Sequence, residues 1–272
     1  MKSFAPKRWF FVALVLLAMF LVYTAVFSTG VLLVPTLQQE QWLLHRPLTG
    51  IDCVFLEWIK LGYVQFSLFF MLILGSICLY LGYRRRILAY LVLVLLLGVG
   101  VEIIAKGLFE QPLSENLHSA MPILTCPQVR DHQRPLQQRL LLSAGAWWVA
   151  PPAPPDQASW LKDVAAMPLT LENASGENSY PSGHATRWCF IGLVLCWLIW
   201  RHMKYRVLKA VLMVMALLVA FGGGFMQFYI GVHLVTDITA GYLLGASSAC
   251  CAIGLLLLNE KRRRDVSFFD SR

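Results

Sequence analysis

Residues 84–109 read RRRILAYLVLVLLLGVGVEIIAKGLF. Three consecutive arginines are followed by an apolar run, Ile87 to Phe109, whose only charged residues are Glu102 and Lys106 near its far end. At about 1.5 Å per helical residue such a run covers the ~30 Å hydrocarbon core of a bilayer, and it is apolar on every side, as a lipid-facing helix must be. The stretch therefore predicts a membrane-spanning helix with basic residues at one end and an ionisable pair at the other.

The rest of the chain repeats that pattern. Of the 272 residues, 58% are hydrophobic, against about 45–50% in soluble domains. Five more apolar runs are long enough to span: about Trp9 to Val34, Gly62 to Tyr83, Ala185 to Trp200, Val207 to Phe228 and Leu234 to Leu258. The first follows Lys2, Lys7 and Arg8, exceeds a signal-peptide core and lacks a small-x-small cleavage site, so it reads as a retained span. The expected fold class is all-α: one polytopic membrane domain, residues 1–272, forming a six-helix transmembrane bundle.

The net charge of +8 does not point to nucleic acid, because the basic residues form short clusters between apolar runs. With six spans, Lys2, Lys7 and Arg8, Arg84 to Arg86, the group Arg201, Lys204, Arg206 and Lys209, and Lys261 to Arg264 all fall on one side. These are 14 of the 23 basic residues, and basic loops mark the cytoplasm. Both termini are expected inside. The opposite side receives a loop around Thr36 to Lys60, a long one spanning residues 110–180, and a tight return near Gly231. Within the long loop, APPAPPD at Ala150 to Asp156 cannot be helical through its middle. Leu140 to Val149, with Trp147 and Trp148, is too short to span and reads as interfacial. Five of the seven cysteines lie in apolar runs as small hydrophobes, and Cys53 and Cys126 are the one pair that this topology places together outside the membrane. Asn173-Ala174-Ser175 matches a glycosylation sequon by chance alone.

Ionisable groups at membrane depth are costly and mark functional sites. Glu102 and Lys106, then Ser182, Gly183 and His184, then His233 and Asp237, all fall at the non-cytoplasmic ends of spans. The topology that places them there was derived from loop charge and used none of them. In Tyr180-Pro181-Ser182-Gly183-His184, proline and glycine define a turn into a helix whose first amides and positive dipole end can hold an anion, with Ser182 as the cap. His233 and Asp237 are four apart and share a face if helical, so Asp237 can fix the tautomer of His233. That describes an oriented nucleophile or base, with His184 available as an acid. Glu102 and Lys106, also four apart, have the spacing of an interfacial ion pair.

The Pro-Ser-Gly-His block and the later His-x-x-x-Asp block resemble the second and third signature motifs of the type 2 phosphatidic acid phosphatase superfamily, and Lys106 resembles the lysine of its first. The resemblance runs from about Glu102 to Gly245. It implies a six-helix bundle, no metal and no cofactor, a phospho-histidine at His233 supported by Asp237, and His184 acting as acid and then base. Lys106, Ser182 and Gly183 would hold phosphate oxygens. Two positions depart from the pattern. Where the family carries Arg-Pro after its lysine this chain has Leu113 and Ser114, and where it carries Ser-Arg this chain has Met226 and Gln227. Both phosphate-clamping arginines are absent, and neither Leu nor Gln reproduces a bidentate guanidinium fork. Arg187, one turn beyond His184, and Arg130 or Arg134 of the long loop are candidate replacements.

The expected partner is a membrane lipid bearing phosphate: phosphatidate-like, a polyprenyl (pyro)phosphate or a lipid A phosphate. The expected location is a bacterial inner membrane with the site facing the periplasm. Two other readings stay open. One is head-group transfer on a monoanionic phosphodiester, as in sphingomyelin-synthase-like enzymes; the other is a non-catalytic lipid-phosphate binder.

Overall fold

The computed structural model describes residues 6–32, 50–109, 111–114, 174–177, 180–230 and 233–270. Seven α-helices run α1 (Pro6–Ser28), α2 (Gly50–Trp58), α3 (Val64–Tyr80), α4 (Arg86–Leu108), α5 (Gly183–His202), α6 (Arg206–Tyr229) and α7 (Val235–Asp270) among these residues. A 3-10 turn, Ile59–Gly62, links α2 to α3. α4, α5 and α6 begin and end within two residues of the apolar runs expected there, whereas α7 continues past the expected end at Leu258 to Asp270.

Among the described residues, α1, α4, α5, α6 and the Val235–Glu260 part of α7 are long and apolar enough to cross a membrane. The run expected as a span over Gly62 to Tyr83 folds as the 17-residue α3, at the lower limit of what covers the hydrocarbon core. It is shortened because Gly62 belongs to the 3-10 turn and the chain leaves the helix at Leu81 and Gly82. The connection expected as a loop over Thr36 to Lys60 instead contains α2. The long segment 110–180 also has structure at its ends, where Gln111–Ser114 (β1) pairs antiparallel with Ala174–Glu177 (β2). Trp147, Trp148, Arg130, Arg134, Cys126, Asn173 and Gly231 lie outside the described residues.

α5 is the centre of the bundle, packing on α6 and α7 most extensively and on α3 and α4 as well. α1 lies against α7. Small residues allow these approaches, as membrane helices require when lipid offers no hydrophobic drive to associate. A side chain at Gly192 of α5 would collide with the backbone of Ala220 on α6. Gly241 and Gly245, four apart on α7, press against the main chain of α5 at Ser182 and Thr186. A core including Met71, Leu74, Leu91, Phe190, Val194 and Ile253 fills the middle. Outward residues are apolar and bare, Ile103 and Leu218 being 64% and 61% exposed, which in water would be a large aggregation surface and in lipid is the expected exterior.

Helix direction separates the two ends of the bundle. At one end are Arg84 to Arg86 and the tail of α5. There the Tyr83 hydroxyl donates to Glu260 at 2.7 Å, Arg201 pairs with Glu260 at 3.1 Å, and the Arg84 amide donates to Asn259 Oδ1 at 3.1 Å. At the other end α4 and α6 finish and α5 and α7 begin, which brings Lys106, Gln227, His184 and His233 to one level.

Candidate active site

Ser182 is the N-cap of α5, as its residue type predicts: its Oγ accepts from the Ala185 amide at 3.4 Å. Its carbonyl accepts from Thr186 Oγ1 at 3.0 Å, and its own amide donates to the carbonyl of Asp237 at 3.0 Å. That last bond ties the start of α5 to the start of α7, and Gly241 permits it by having no side chain to hold the helices apart. Tyr180, just upstream, is fully buried, stacks on Phe27 with centroids 4.2 Å apart, and shares a 2.8 Å hydrogen bond with Thr24 of α1. Burial pushes its phenol up to about 12, so it remains a protonated anchor at any physiological pH.

His233 does not sit on a helix as the four-residue spacing suggested. It occupies a bend before α7, whose first residue is Val235. The pairing with Asp237 forms nevertheless, because Asp237 in the first turn folds its carboxylate back over the helix start. Oδ2 accepts from His233 Nδ1 at 3.1 Å and from the Leu234 amide at 3.3 Å. Acidic residues are favoured in a first turn by these same free amides. Asp237 is fully buried and His233 is 7% exposed. With Nδ1 donating to the carboxylate, the lone pair of the ring lies on Nε2. The Asp237→Asn variant loses this tautomer control. Its turnover is expected to fall by roughly 10²–10⁴-fold with little change in thermal midpoint, checked by comparing initial rates with a melting curve of the same preparation.

His184 packs edge-on against Tyr63 at 5.5 Å between centroids, and a side chain at Gly62 would strike its ring and Trp188. The 3-10 turn after α2 thus forms one wall of the site, which sequence reasoning missed because nothing in Ile59–Gly62 signals contact with a helix more than a hundred residues away.

The cations are arranged differently from the simple expectation. Lys106 pairs with Glu102 at 3.0 Å, as the spacing suggested, but Glu102 also accepts from Arg187 Nη1 at 2.7 Å. Arg187 Nε donates to the Gly62 carbonyl at 3.0 Å. Arg187 and Glu102 are 5% and 6% exposed, so this is a buried pair crossing from α4 to α5. The Glu102 carboxylate lies directly over Gly183, where any Cβ would overlap it. Lys106, Arg187 and Gly183 are therefore joined in one cluster around Glu102. Gln227, which stands where the family arginine was expected, is fully buried, and its main-chain carbonyl accepts from the His233 amide at 3.3 Å. Among the described residues, no group of three or more His, Cys, Asp or Glu side chains could hold a metal ion.

The family model of the PAP2 superfamily matches residues 87–261, well over half of the chain. The chain belongs to the PAP2 superfamily. Its fold is similar to the crystal structure of a transmembrane PAP2-type phosphatidylglycerolphosphate phosphatase from Bacillus subtilis, with a TM-score of 0.56 and 17% identity over 89% of this chain and 94% of that one. No curated protein matches the chain. The matched segment contains Glu102, Lys106, Ser182, His184, Arg187, Gln227, His233 and Asp237, while Gly62 and Tyr63 lie before it.

Proposed function

We propose that the chain is a membrane phosphatase or phosphotransferase acting on lipid-linked phosphate at the non-cytoplasmic leaflet, with His233 as nucleophile. The observation that carries this reading is the 3.1 Å bond from His233 Nδ1 to a fully buried Asp237. It orients the imidazole, sets the lone pair on Nε2 and stabilises the cation that forms when Nε2 is phosphorylated.

The reaction proceeds in two displacements. Nε2 of His233 attacks phosphorus, the bond from phosphorus to the lipid oxygen breaks, and protonated His184 gives that oxygen a proton. His184, now neutral, takes a proton from water or an acceptor alcohol, whose oxygen attacks phosphorus and breaks the P–N bond. Phosphate or the new ester leaves and His233 returns to its neutral form. The start of α5, with Ser182 and Gly183, together with Lys106 and Arg187, would hold the non-bridging oxygens. Membership of the PAP2 superfamily and the apolar exterior support a substrate presented from the bilayer. The distribution of basic residues between the loops supports the side of the membrane.

Purified protein in detergent, given a panel of radiolabelled lipid phosphates with and without an acceptor alcohol, tests this. Release of inorganic phosphate, or its transfer to the acceptor, is expected from at least one lipid. No release and no exchange across phosphatidate, polyprenyl pyrophosphate and lipid A would overturn the reading.

A further inference from the structure

Gln227 lies in the last turn of α6. Its side chain is fully buried, and neither Oε1 nor Nε2 has a hydrogen-bond partner among the described residues. A buried carboxamide without partners forfeits bonds that water would have supplied, so its retention calls for a ligand that fills them.

Its position specifies where that ligand lies. Gly223 packs against Trp188 of α5, and Gly224 packs against Tyr242 and Ile238 of α7. Gln227 is four and three residues further along, so it continues the same inward face by one turn toward the site. α5 and α6 are joined by residues 203–205 and run antiparallel, and the residue one turn from Trp188 in the same direction is His184. Since the Gln227 main-chain carbonyl accepts from the His233 amide, the residue sits at the level of both histidines.

The charges around it decide which ligand fits. Lys60, Lys106 and Arg187 are offset by Glu57, Glu102 and Asp237, so before either histidine is charged this cluster carries no net charge. A phosphate bearing one negative charge is matched by a single imidazolium, His184 as the acid before transfer or phosphorylated His233 after it. A dianion brings a second negative charge that nothing in this cluster offsets. The carboxamide agrees with this count. Nε2 can donate to a phosphate oxygen, while Oε1 needs a donor, which the P–OH of a singly protonated phosphomonoester or the head-group alcohol of a phosphodiester supplies and a dianionic phosphomonoester does not.

We propose that Gln227 is a specificity-determining residue whose neutral carboxamide selects a singly charged phosphate, a phosphodiester or a singly protonated phosphomonoester, over the dianion. This rests on the site being a phosphoryl-transfer centre, but its test needs no turnover. Short-chain phosphatidate, whose phosphate loses its second proton at about pH 6, and short-chain phosphatidylglycerol, singly charged throughout, are titrated into the full-length protein in detergent at about pH 5 and about pH 8.5. Wild type is expected to bind phosphatidate at least about tenfold more tightly at the lower pH, with phosphatidylglycerol changing less than about threefold, which accounts for protein titration. Gln227→Arg should tighten phosphatidate at the higher pH by about tenfold, and Gln227→Met should weaken both lipids by about tenfold at the lower pH. The proposal is overturned if wild type binds phosphatidate equally at both pH values, or if Gln227→Met binds both lipids within about twofold of wild type, which would make the amide a packing group. Should the arginine variant not fold, the nearly isosteric methionine variant still decides. Full turnover in a His233→Ala protein would remove the catalytic mechanism while leaving this binding pattern to stand or fall separately.

Discussion

Replacing His233 with alanine is expected to lower turnover of any lipid phosphate by on the order of 10⁴-fold or more, because under the proposed mechanism the variant removes the atom that bonds to phosphorus and water must attack unaided. The fold should survive the change. His233 contributes one side-chain bond, to Asp237, and the carboxylate keeps its bond from the Leu234 amide; the loss amounts to about 1–2 kcal/mol. The Ser182–Asp237 main-chain bond that joins α5 to α7 does not involve the imidazole. Initial rates and melting midpoints measured on one preparation separate the two effects. A variant retaining a tenth of wild-type activity would mean that some other group attacks phosphorus.

Arg187→Leu is expected to damage both stability and activity, and a second variant tells them apart. The guanidinium is buried between Glu102 Oε2 at 2.7 Å and the Gly62 carbonyl at 3.0 Å. Removing it leaves Glu102 to Lys106 alone and strips the turn before α3 of its donor, at a cost of about 3–5 kcal/mol, the usual result of halving a buried ion pair. Activity should drop by roughly 10²–10³-fold through loss of a cation at the phosphate. In the Glu102→Leu/Arg187→Leu double variant the uncompensated carboxylate is gone as well, and most of the stability should return. Activity should not. If the double variant is as active as wild type, the pair is a structural clasp and Lys106 with the start of α5 holds the phosphate without it.

The two charges of that clasp show how far the sequence could be read. Glu102 and Arg187 stood out as ionisable residues inside apolar runs, and burial cost made each a candidate. Their pairing across 85 residues was not visible, since spacing reports only neighbours on one helix, and Glu102 already had Lys106 in place. The five helices long enough to cross a membrane were legible because bilayer thickness imposes a length that composition alone can meet. α2 was not, because its nine residues are too few for a span and lie in a stretch bounded by polar positions. The β1–β2 pair was equally hidden: four-residue strands containing Pro112 and Gly176 show no alternation, and their partners are about sixty residues apart in sequence. His233 and Asp237 were found by their spacing for a reason that proved only partly right, the pairing being made by a carboxylate turned back over the helix start. Gln227 was noticed as a missing arginine, and only its burial without partners gave it a role of its own.

The most direct test of phosphoryl transfer through His233 is a rapid acid-free quench of the purified protein during turnover of a lipid labelled on phosphorus, followed by mass mapping of the covalent phosphate. The expected result is an acid-labile, alkali-stable phosphate on His233, absent from the His233→Ala protein and longer-lived when His184 is replaced by glutamine. Turnover with no covalent phosphate, or with the label on another side chain, would contradict it.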